Sequence, residues 1–182
     1  MRNLTDPRGR SVIHAAAERA GWQARPPGAR GKGDNMVGRG IAYAQRSATY
    51  VAVIAEVEVD RRSGRVWPRR FVVAHDCGLI INPEGLRRCI EGNIVQGASR
   101  AIWEEVSFDR RGVTSLDWRS YPILGVTDVP EEIDIVTINR PDVASGGAGE
   151  ASTRPVAAAI GNAIFDATGR RLRRAPFRPD GV

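Results

Sequence analysis

The pattern of hydrophobic and polar residues over 41–60 is typical of β-strands, and within it residues 55–60 alternate strictly. Residues 61–64, Arg-Arg-Ser-Gly, have the composition of a hairpin turn, and a second strand is predicted over 65–74. Pro68 cannot donate a hydrogen bond to a neighbouring strand, so it predicts an edge position or a bulge. A further strand is predicted where isoleucine and valine recur, over 133–138.

Three other stretches show the spacing of helices. Residues 6–22 predict a short helix with Asp6 as its cap and Pro7 in its first turn, ending near Gly21. Asn82-Pro83-Glu84 begins a helix that we expect to run to about residue 105. A last helix is predicted from Thr153 to Gly169. The apolar stripes of the two longer helices are Leu86, Ile90, Ile94, Ala98, Ala101 and Ile102, and Val156, Ile160, Ala163, Ile164 and Ala167.

A proline- and glycine-rich stretch at 25–40 predicts a loop or linker, and it is the best candidate for a boundary in the chain. We therefore expect residues 1–40 to form a helix plus linker and residues 41–182 to form the main domain. Strands and helices together predict the α+β class, with strands and two main packed helices. The length of 182 residues fits one such domain with appendages.

Composition excludes several classes of protein. Apolar residues make up 42% of the chain and charged residues 26%, so collagen-like and wholly disordered chains are excluded. The longest apolar run, residues 50–55, is too short to cross a bilayer, and the first ten residues lack the apolar core of a signal peptide. The default expectation is a cytoplasmic protein with no membrane span, and a periplasmic location stays open.

The net charge is +6, but Lys32 is the single lysine among 27 basic residues. Nucleic-acid-binding proteins usually mix lysine and arginine, since a phosphate needs only a nearby positive charge. Apart from the cluster at 170–174 the arginines are scattered. We therefore expect no nucleic-acid partner, and binding through this arginine cluster is the least favoured alternative.

Two cysteines and two histidines lack the spacing of a zinc site or an iron–sulfur cluster, so we expect no metal ligands from this chain alone. His75, Asp76 and Cys77 are consecutive and resemble a catalytic cluster. Neighbours in a strand point to opposite faces, however, so Asp76 cannot easily act together with the other two. We interpret the three residues as structural.

The glycine-rich segment 145–152, Ser-Gly-Gly-Ala-Gly-Glu-Ala-Ser, is the strongest candidate for a site. Its glycines let a ligand approach the main chain closely, and it lies between a predicted strand and a helix N-terminus. Glu150 could act as a general base there if its surroundings exclude water and raise its pKa. On spacing alone, a tight turn with Glu150 stabilising the helix dipole is the favoured interpretation.

Gln96 is a second candidate, in the middle of the 83–105 helix. It shares a helix face with Cys89, Gly92, Ser99 and Arg100, off the apolar stripe. The small residues around it could admit a ligand that its amide would bind. From the pattern alone, a solvent-facing glutamine is the favoured alternative.

Five stretches, taken in order and spacing, resemble the C-terminal part of the molybdenum-binding subunit of the xanthine dehydrogenase/aldehyde oxidase family, and within it the isoquinoline 1-oxidoreductase β-subunit type. They are TYVAVIAEVEVD (49–60), HDCGLIINPEGLRRCIEGNIVQG (75–97), DWRSYPI (117–123), GGAGE (146–150) and PVAAAIGNAIFDATGRRLRRAP (155–176). The resemblance covers roughly residues 5–178. It implies that the main domain is the C-terminal portion of a cofactor-binding domain.

The resemblance implies roles for four residues. Glu150 corresponds to the family's catalytic base, which accepts a proton as water-derived oxygen attacks an aldehyde or an N-heterocycle. Gln96 corresponds to the glutamine that lies against the pterin, and Gly149 and Ser152 are assigned to the same cofactor pocket. With the resemblance included, functional roles for Glu150 and Gln96 become the favoured interpretation.

The resemblance also implies a molybdenum–pterin cofactor, in a dinucleotide form, that is shared with another chain or segment. Family subunits are several times longer, and their other cofactor-binding segments precede the part that this chain matches. The implied partners are a chain carrying the N-terminal part of the molybdenum subunit, an iron–sulfur subunit that holds the clusters, and a small substrate. An apolar face, normally covered, is expected. The alternative is a non-catalytic remnant or binding module that folds without cofactor.

Overall fold

The computed structural model describes residues 3–23 and 34–177. A four-stranded sheet forms its centre, with helices on both faces. The long strands are β1 (Asn35–Arg46), β2 (Thr49–Asp60) and β3 (Val66–Asp76), and they pair antiparallel in sequence order. Two short strands, β4 (Phe108–Asp109) and β5 (Gly112–Val113), form a separate hairpin. The sixth strand, β6 (Glu132–Thr137), pairs parallel to β3 and completes the order β1-β2-β3-β6.

In the described part of the chain, three helices cover this sheet. Helix α1 (Pro7–Arg19) lies on one face and buries Val12 and Ala16 against β2 and β3. Helices α2 (Pro83–Ile102) and α3 (Val156–Thr168) lie on the other face, and their apolar stripes are buried as predicted. A short 3₁₀ helix, Ala151–Thr153, precedes α3. The α+β class is confirmed, with one more packed helix than the two main ones expected.

The burial of β2 explains its sequence pattern. Residues 50–55 are apolar throughout because α1 covers one face of the strand and α3 covers the other. Beyond the reach of α1, valines 57 and 59 remain buried while Glu56 and Glu58 are partly exposed. Strict alternation therefore marks the part of the strand that is covered on one face only.

The local signals at the ends of the elements are largely confirmed. Asp6 accepts hydrogen bonds from the backbone of the first turn of α1, and Asn82 Oδ1 accepts one from Gly85 N at 2.9 Å. Gly169 ends α3 in the left-handed region, with φ of 75°. Pro68 stands at a bulge, where the β2–β3 register shifts opposite Glu56 and Val57. β3 is an inner strand, but its pairing with β6 begins only at Arg70.

The expected loop at 25–40 is wrong from residue 35 onward. Residues 24–33 lie outside the described part of the chain, but β1 already begins at Asn35. Gly38 and Gly40 belong to this strand because α3 crosses it with backbone in direct contact. Gly38 and Gly40, two of the glycines that suggested a linker, are therefore packing residues. The helices predicted over 6–22 and 83–105 also end earlier, at Arg19 and Ile102.

We expect Gly40→Ala to lower the free energy of unfolding by about 1–3 kcal/mol. A Cβ at this position would fall on the carbonyl oxygen of Ala159, so α3 would have to move off the sheet. The matched control is Gly92→Ala on α2, where a Cβ meets no atom within 4 Å. Because Gly92 is helical and exposed, this control should raise the stability by roughly 0.5–1 kcal/mol. Denaturant titrations of both variants test the contact, and equal effects would contradict it.

Candidate functional site

The glycine-rich segment 145–152 is fixed across one end of the sheet. The amide of Gly146 donates a hydrogen bond to the carbonyl of Cys77, just after β3, at 2.7 Å. The hydroxyl of Thr49, at the start of β2, donates to the carbonyl of Gly147, also at 2.7 Å. A Cβ on Gly146 would fall 2.9 Å from the Thr49 hydroxyl, so glycine is required for this approach.

Helix α2 holds the same segment from a second side. Asn93 donates a hydrogen bond through Nδ2 to the carbonyl of Ala148 at 3.4 Å, and Cys89 Sγ lies 3.4 Å from the same oxygen. Asn93 Oδ1 in turn accepts a hydrogen bond from the Thr153 hydroxyl at 3.0 Å. Asn93 therefore connects α2 to both ends of the turn that carries Glu150.

Glu150 lies at a cavity of about 320 Å³ lined by Arg46, Ser47, Gly147, Gly149 and Glu150. Its side chain is 73% exposed and forms an ion pair with the guanidinium of Arg46, the last residue of β1. At Gly147 and Gly149 an added Cβ would meet no atom within 4 Å, so the main chain there is open to the cavity. The structure thus places a carboxylate, a guanidinium and bare backbone around one space.

The charges around Glu150 favour its ionised form. The hydrogen bond and the charge of Arg46, followed by the charges of Arg154 and Arg100, hold the pKa of Glu150 below its ordinary value. Its carboxylate is therefore ionised at neutral pH and can accept a proton. Surroundings that exclude water and raise the pKa, which the sequence analysis required for a base, are not formed by the described residues.

Helix spacing places Gln96 on the side of α2 that also carries Asn93 and Arg100. It is exposed, and it stands one turn beyond Asn93, which contacts Ala148, and one turn before Arg100, whose charge acts on Glu150. No described residue separates Gln96 from solvent, so the pattern-based alternative of a solvent-facing glutamine fits this chain as well.

Ser152 occupies a different position from the other three predicted site residues. It is fully buried in the 3₁₀ turn, and its hydroxyl has no hydrogen-bond partner within residues 3–23 and 34–177. A buried hydroxyl without a partner carries a free-energy cost, so its position calls for a group to satisfy it. Gly149 and Glu150 thus share the cavity, Gln96 lies beside the turn, and Ser152 lies beneath it.

Three residues at this site were missed by the sequence analysis. Arg46 and Thr49 flank the two-residue β1–β2 turn, and no spacing links them to residue 150. Asn93 could have been identified from the sequence, because its amide lies between the apolar residues Ile90 and Ile94 on α2, and in the structure it is buried. A polar residue at a core position of a helix indicates a specific hydrogen-bond partner.

His75, Asp76 and Cys77 divide between the two faces of the sheet, as strand geometry requires. Asp76 is fully buried toward α1 and accepts hydrogen bonds from Arg8 and Arg140, each at 2.5 Å. Burial alone would raise the pKa of Asp76, but these two guanidiniums and the amide of Gly78 hold it below its ordinary value. His75 is also fully buried, and burial lowers its pKa to about 4.

The low pKa of His75 predicts a pH-dependent stability. Between pH 6.5 and about 4 the unfolded chain binds a proton at His75 that the folded chain does not. The free energy of unfolding should therefore decrease as the pH is lowered through this window, by about 1.4 kcal/mol per pH unit and roughly 3 kcal/mol in total. His75→Leu should remove this slope, whereas His14→Gln, at an exposed position of α1, should retain it. Denaturant titrations at pH 7, 5.5 and 4.5 measure it, and equal slopes in the two variants would contradict the assignment.

Within the described ranges, no group of three or more histidine, cysteine, aspartate or glutamate side chains is arranged to hold a metal ion. The helices in those ranges are also too short or too polar to span a membrane. Cys77 and Cys89 are both free thiols.

Comparison with known proteins gives consistent matches. The family model described as "Molybdopterin cofactor-binding domain" matches residues 10–130. The chain is 43% identical to one of the subunits of nicotinate dehydrogenase from Pseudomonas putida, over 100% of this chain and 16% of that protein. It is 31% identical to the β-subunit of isoquinoline 1-oxidoreductase from Brevundimonas diminuta, over 96% of this chain and 22% of that protein. The chain therefore spans about a fifth of the length of these relatives.

The fold is also similar to a solved structure. Quinoline 2-oxidoreductase from Pseudomonas putida 86 superimposes with a TM-score of 0.67 and 27% identity, over 72% of this chain and 18% of that one. The match to the family model ends before the segment that carries Glu150, so it bears on the fold and not on that side chain.

Proposed function

Because the chain belongs to the molybdopterin cofactor-binding domain family of the molybdenum hydroxylases, we propose that it supplies the general base and part of the pterin pocket of such an enzyme. The observation that carries the proposal is the cavity that joins Glu150 to open glycine backbone. The rest of the molybdenum subunit would come from another chain or segment. An iron–sulfur subunit would complete the enzyme.

The residues around Glu150 fit a pterin cofactor. The main chain at Gly149 is open, the buried Ser152 hydroxyl lacks a partner among the described residues, and the Gln96 amide is exposed beside the turn. We assign these three groups to hold the pterin, since glycine backbone, hydroxyl and amide can all pair with its polar edge. The positive charges of Arg100 and Arg154 suit the phosphate of a dinucleotide form. When bound, the molybdenum–pterin group supplies a two-electron oxidation.

Glu150 then acts as the base of an oxidative hydroxylation. A substrate carbon–hydrogen bond and a water molecule become a carbon–hydroxyl group, with release of two electrons and two protons. The ionised carboxylate of Glu150 accepts a proton from the water whose oxygen enters the product. Iron–sulfur clusters on a partner subunit would supply the acceptor for the two electrons. The rest of the enzyme would have to exclude water from Glu150, because its side chain is 73% exposed in this chain.

The surface of the chain supports a larger assembly. Phe108, Leu116, Trp118 and Val126 lie in the segment between α2 and β6, and their side chains are 77–86% exposed. Large apolar side chains that are exposed to this extent within one segment are candidates for contact with another protein surface. We assign them to contact with the remainder of the molybdenum subunit, and the isolated chain should aggregate through them.

The relatives indicate the class of substrate. Their names include a nicotinate dehydrogenase, an isoquinoline oxidoreductase and an aldehyde oxidoreductase. We therefore propose that the substrate is an aldehyde, oxidised at its carbonyl carbon, or an electron-poor N-heterocycle, oxidised at a carbon beside the ring nitrogen.

Oxygen tracing tests this function. A complex purified through a tag on the chain is incubated with quinoline, pyridine-3-carboxylate or benzaldehyde, a dye as electron acceptor and ¹⁸O-labelled water. We expect dye reduction, and a product that carries one ¹⁸O atom from water. A molybdenum-containing complex that oxidises none of the three compounds would contradict the proposal and favour the non-catalytic binding module.

A further inference from the structure

Another cavity lies at the opposite end of the sheet from Glu150. Its volume is about 370 Å³, and its lining includes Val66, at the start of β3, and Trp103, just after α2. The glycine-rich segment is bound instead to Cys77, just after the end of β3. Because β3 has 11 residues with a rise of about 3.3 Å each, roughly 30 Å separates the two places. The cavity therefore does not belong to the site of Glu150.

The floor of this cavity is apolar and belongs to the core. Val66, Ile102 and Phe177 are at most 9% exposed, and the partly buried Trp103 packs against the same cluster. The amide of Phe177 donates a hydrogen bond to the carbonyl of Ala101 at 2.7 Å, which fixes its backbone. Two of the four side chains are aromatic, and aromatic rings pack favourably on one another in stacked or edge-to-face contacts. The floor therefore suits a flat aromatic ligand.

The rim of the cavity is fixed by hydrogen bonds to α2 and to the residues just after it. The Tyr121 hydroxyl donates to the carboxylate of Glu104 at 2.8 Å, and the Leu124 amide donates to the hydroxyl of Ser99 at 3.1 Å. These bonds anchor the segment that carries Arg119, a lining residue. A pre-formed cavity of a few hundred Å³ with an apolar floor and a few polar groups is the usual form of a small-molecule site.

Two guanidiniums and one carboxylate line the cavity. The carboxylate, Glu105, is paired with Arg174 at 2.7 Å. The first guanidinium, Arg65, is paired with Asp128, also at 2.7 Å. The second, Arg119, is exposed and forms neither an ion pair nor a side-chain hydrogen bond with any other residue in the described part of the chain. Arg119 is therefore the charged group at the rim that can bind a ligand without breaking an existing pair.

We propose that this cavity is a second binding site, for a small aromatic anion whose ring lies on the apolar floor and whose acid group binds the guanidinium of Arg119. A planar guanidinium can bind a carboxylate through two parallel hydrogen bonds. Burial of the ring supplies most of the affinity, since a charge contact at an exposed arginine is weak. Arg119 supplies the preference for an anion over a neutral molecule of the same shape. The ligand is not the substrate, because Glu150 is roughly 30 Å away.

The test compares naphthalene-2-carboxylate with its neutral amide, naphthalene-2-carboxamide. Calorimetry measures the binding of each to the purified complex and to the full chain alone. We expect the carboxylate to bind with a Kd below about 1 mM. Arg119→Gln should weaken its binding by about 3- to 10-fold, with less than about a twofold change for the amide. Trp103→Leu should weaken both ligands by about 3- to 10-fold, because it removes an aromatic surface from the floor.

Two controls separate this cavity from the rest of the surface. Arg110→Gln removes an exposed guanidinium from the turn between β4 and β5, outside the lining, and should change neither ligand. Glu150→Gln should also leave both Kd values unchanged. Because Arg119 is exposed, its replacement leaves the core intact, and thermal unfolding of each variant checks this.

Three results would overturn the inference. The first is the absence of carboxylate binding with a Kd below about 1 mM. The second is an equal effect of Arg119→Gln on the carboxylate and the amide. The third is binding to the chain alone but not to the complex, which would show that another protein surface covers the cavity. None of these measurements requires molybdenum or turnover, so the inference can fail while the proposed function stands, and the reverse.

Discussion

Glu150→Gln in the assembled complex is expected to lower kcat by about 100- to 10,000-fold while the molybdenum content stays unchanged. A glutamine keeps the size of the side chain and can still hydrogen-bond Arg46, but it cannot accept the proton that the reaction releases. Removal of a general base typically costs this range of rate. Steady-state dye reduction measures kcat, and metal analysis of the same preparation measures the molybdenum content.

Glu131→Gln is the matched control for this variant. Glu131 is also an exposed glutamate in an ion pair with an arginine, Arg69, but it lies just before β6, at the end of the sheet away from Cys77. The complex that carries Glu131→Gln should therefore have the same kcat as the unmodified complex. If Glu150→Gln retained more than about a tenth of the rate, Glu150 would not be the base. A loss of molybdenum would make it a structural residue of the pocket instead.

Asp76→Asn is expected to lower the free energy of unfolding by about 3–5 kcal/mol, the largest effect on stability that we predict. Asp76 is fully buried and neutralises Arg8 from α1 and Arg140 from the segment after β6. An asparagine leaves both guanidiniums without their counter-charge and with a weaker acceptor. Denaturant unfolding followed by tryptophan fluorescence measures the change.

The exposed pair of Arg19 and Asp134 provides the comparison for Asp76. Arg19 is 59% exposed, so Arg19→Met should cost no more than about 1 kcal/mol although its bonds to Asp134 are as short as 2.7 Å. Similar losses in the two variants would show that burial of Asp76 is not the source of the effect. Should the isolated chain aggregate, hydrogen exchange within the complex gives the same ranking.

The helices and strands could be predicted where their pattern depends on residues that are close together in the sequence. The period of β2, the caps at Asp6 and Asn82 and the bulge at Pro68 each depend on residues within a few positions of each other. The prediction for 35–40 was wrong because Gly38 and Gly40 are required by α3, more than 100 residues away in the chain. A glycine gives no local sign of whether it serves a turn or a helix crossing.

The candidate site could be predicted only in part. The glycine-rich turn and its position before a helix follow from the sequence, and the resemblance supplied the role of Glu150. The pairing of Arg46 with Glu150 joins residues 104 positions apart, and it depends on how the β1–β2 turn meets the segment after β6. Such a contact is fixed by the tertiary fold, so spacing could not show it.

The metal content of the native complex decides whether this chain works within a molybdenum hydroxylase. The tagged chain is recovered from its own cells, and molybdenum and co-purifying chains are quantified. We expect close to one molybdenum per chain, together with a larger partner that carries the rest of the molybdenum subunit. A chain that is recovered alone and free of molybdenum would contradict this function, and Glu150 would then have no proton to accept.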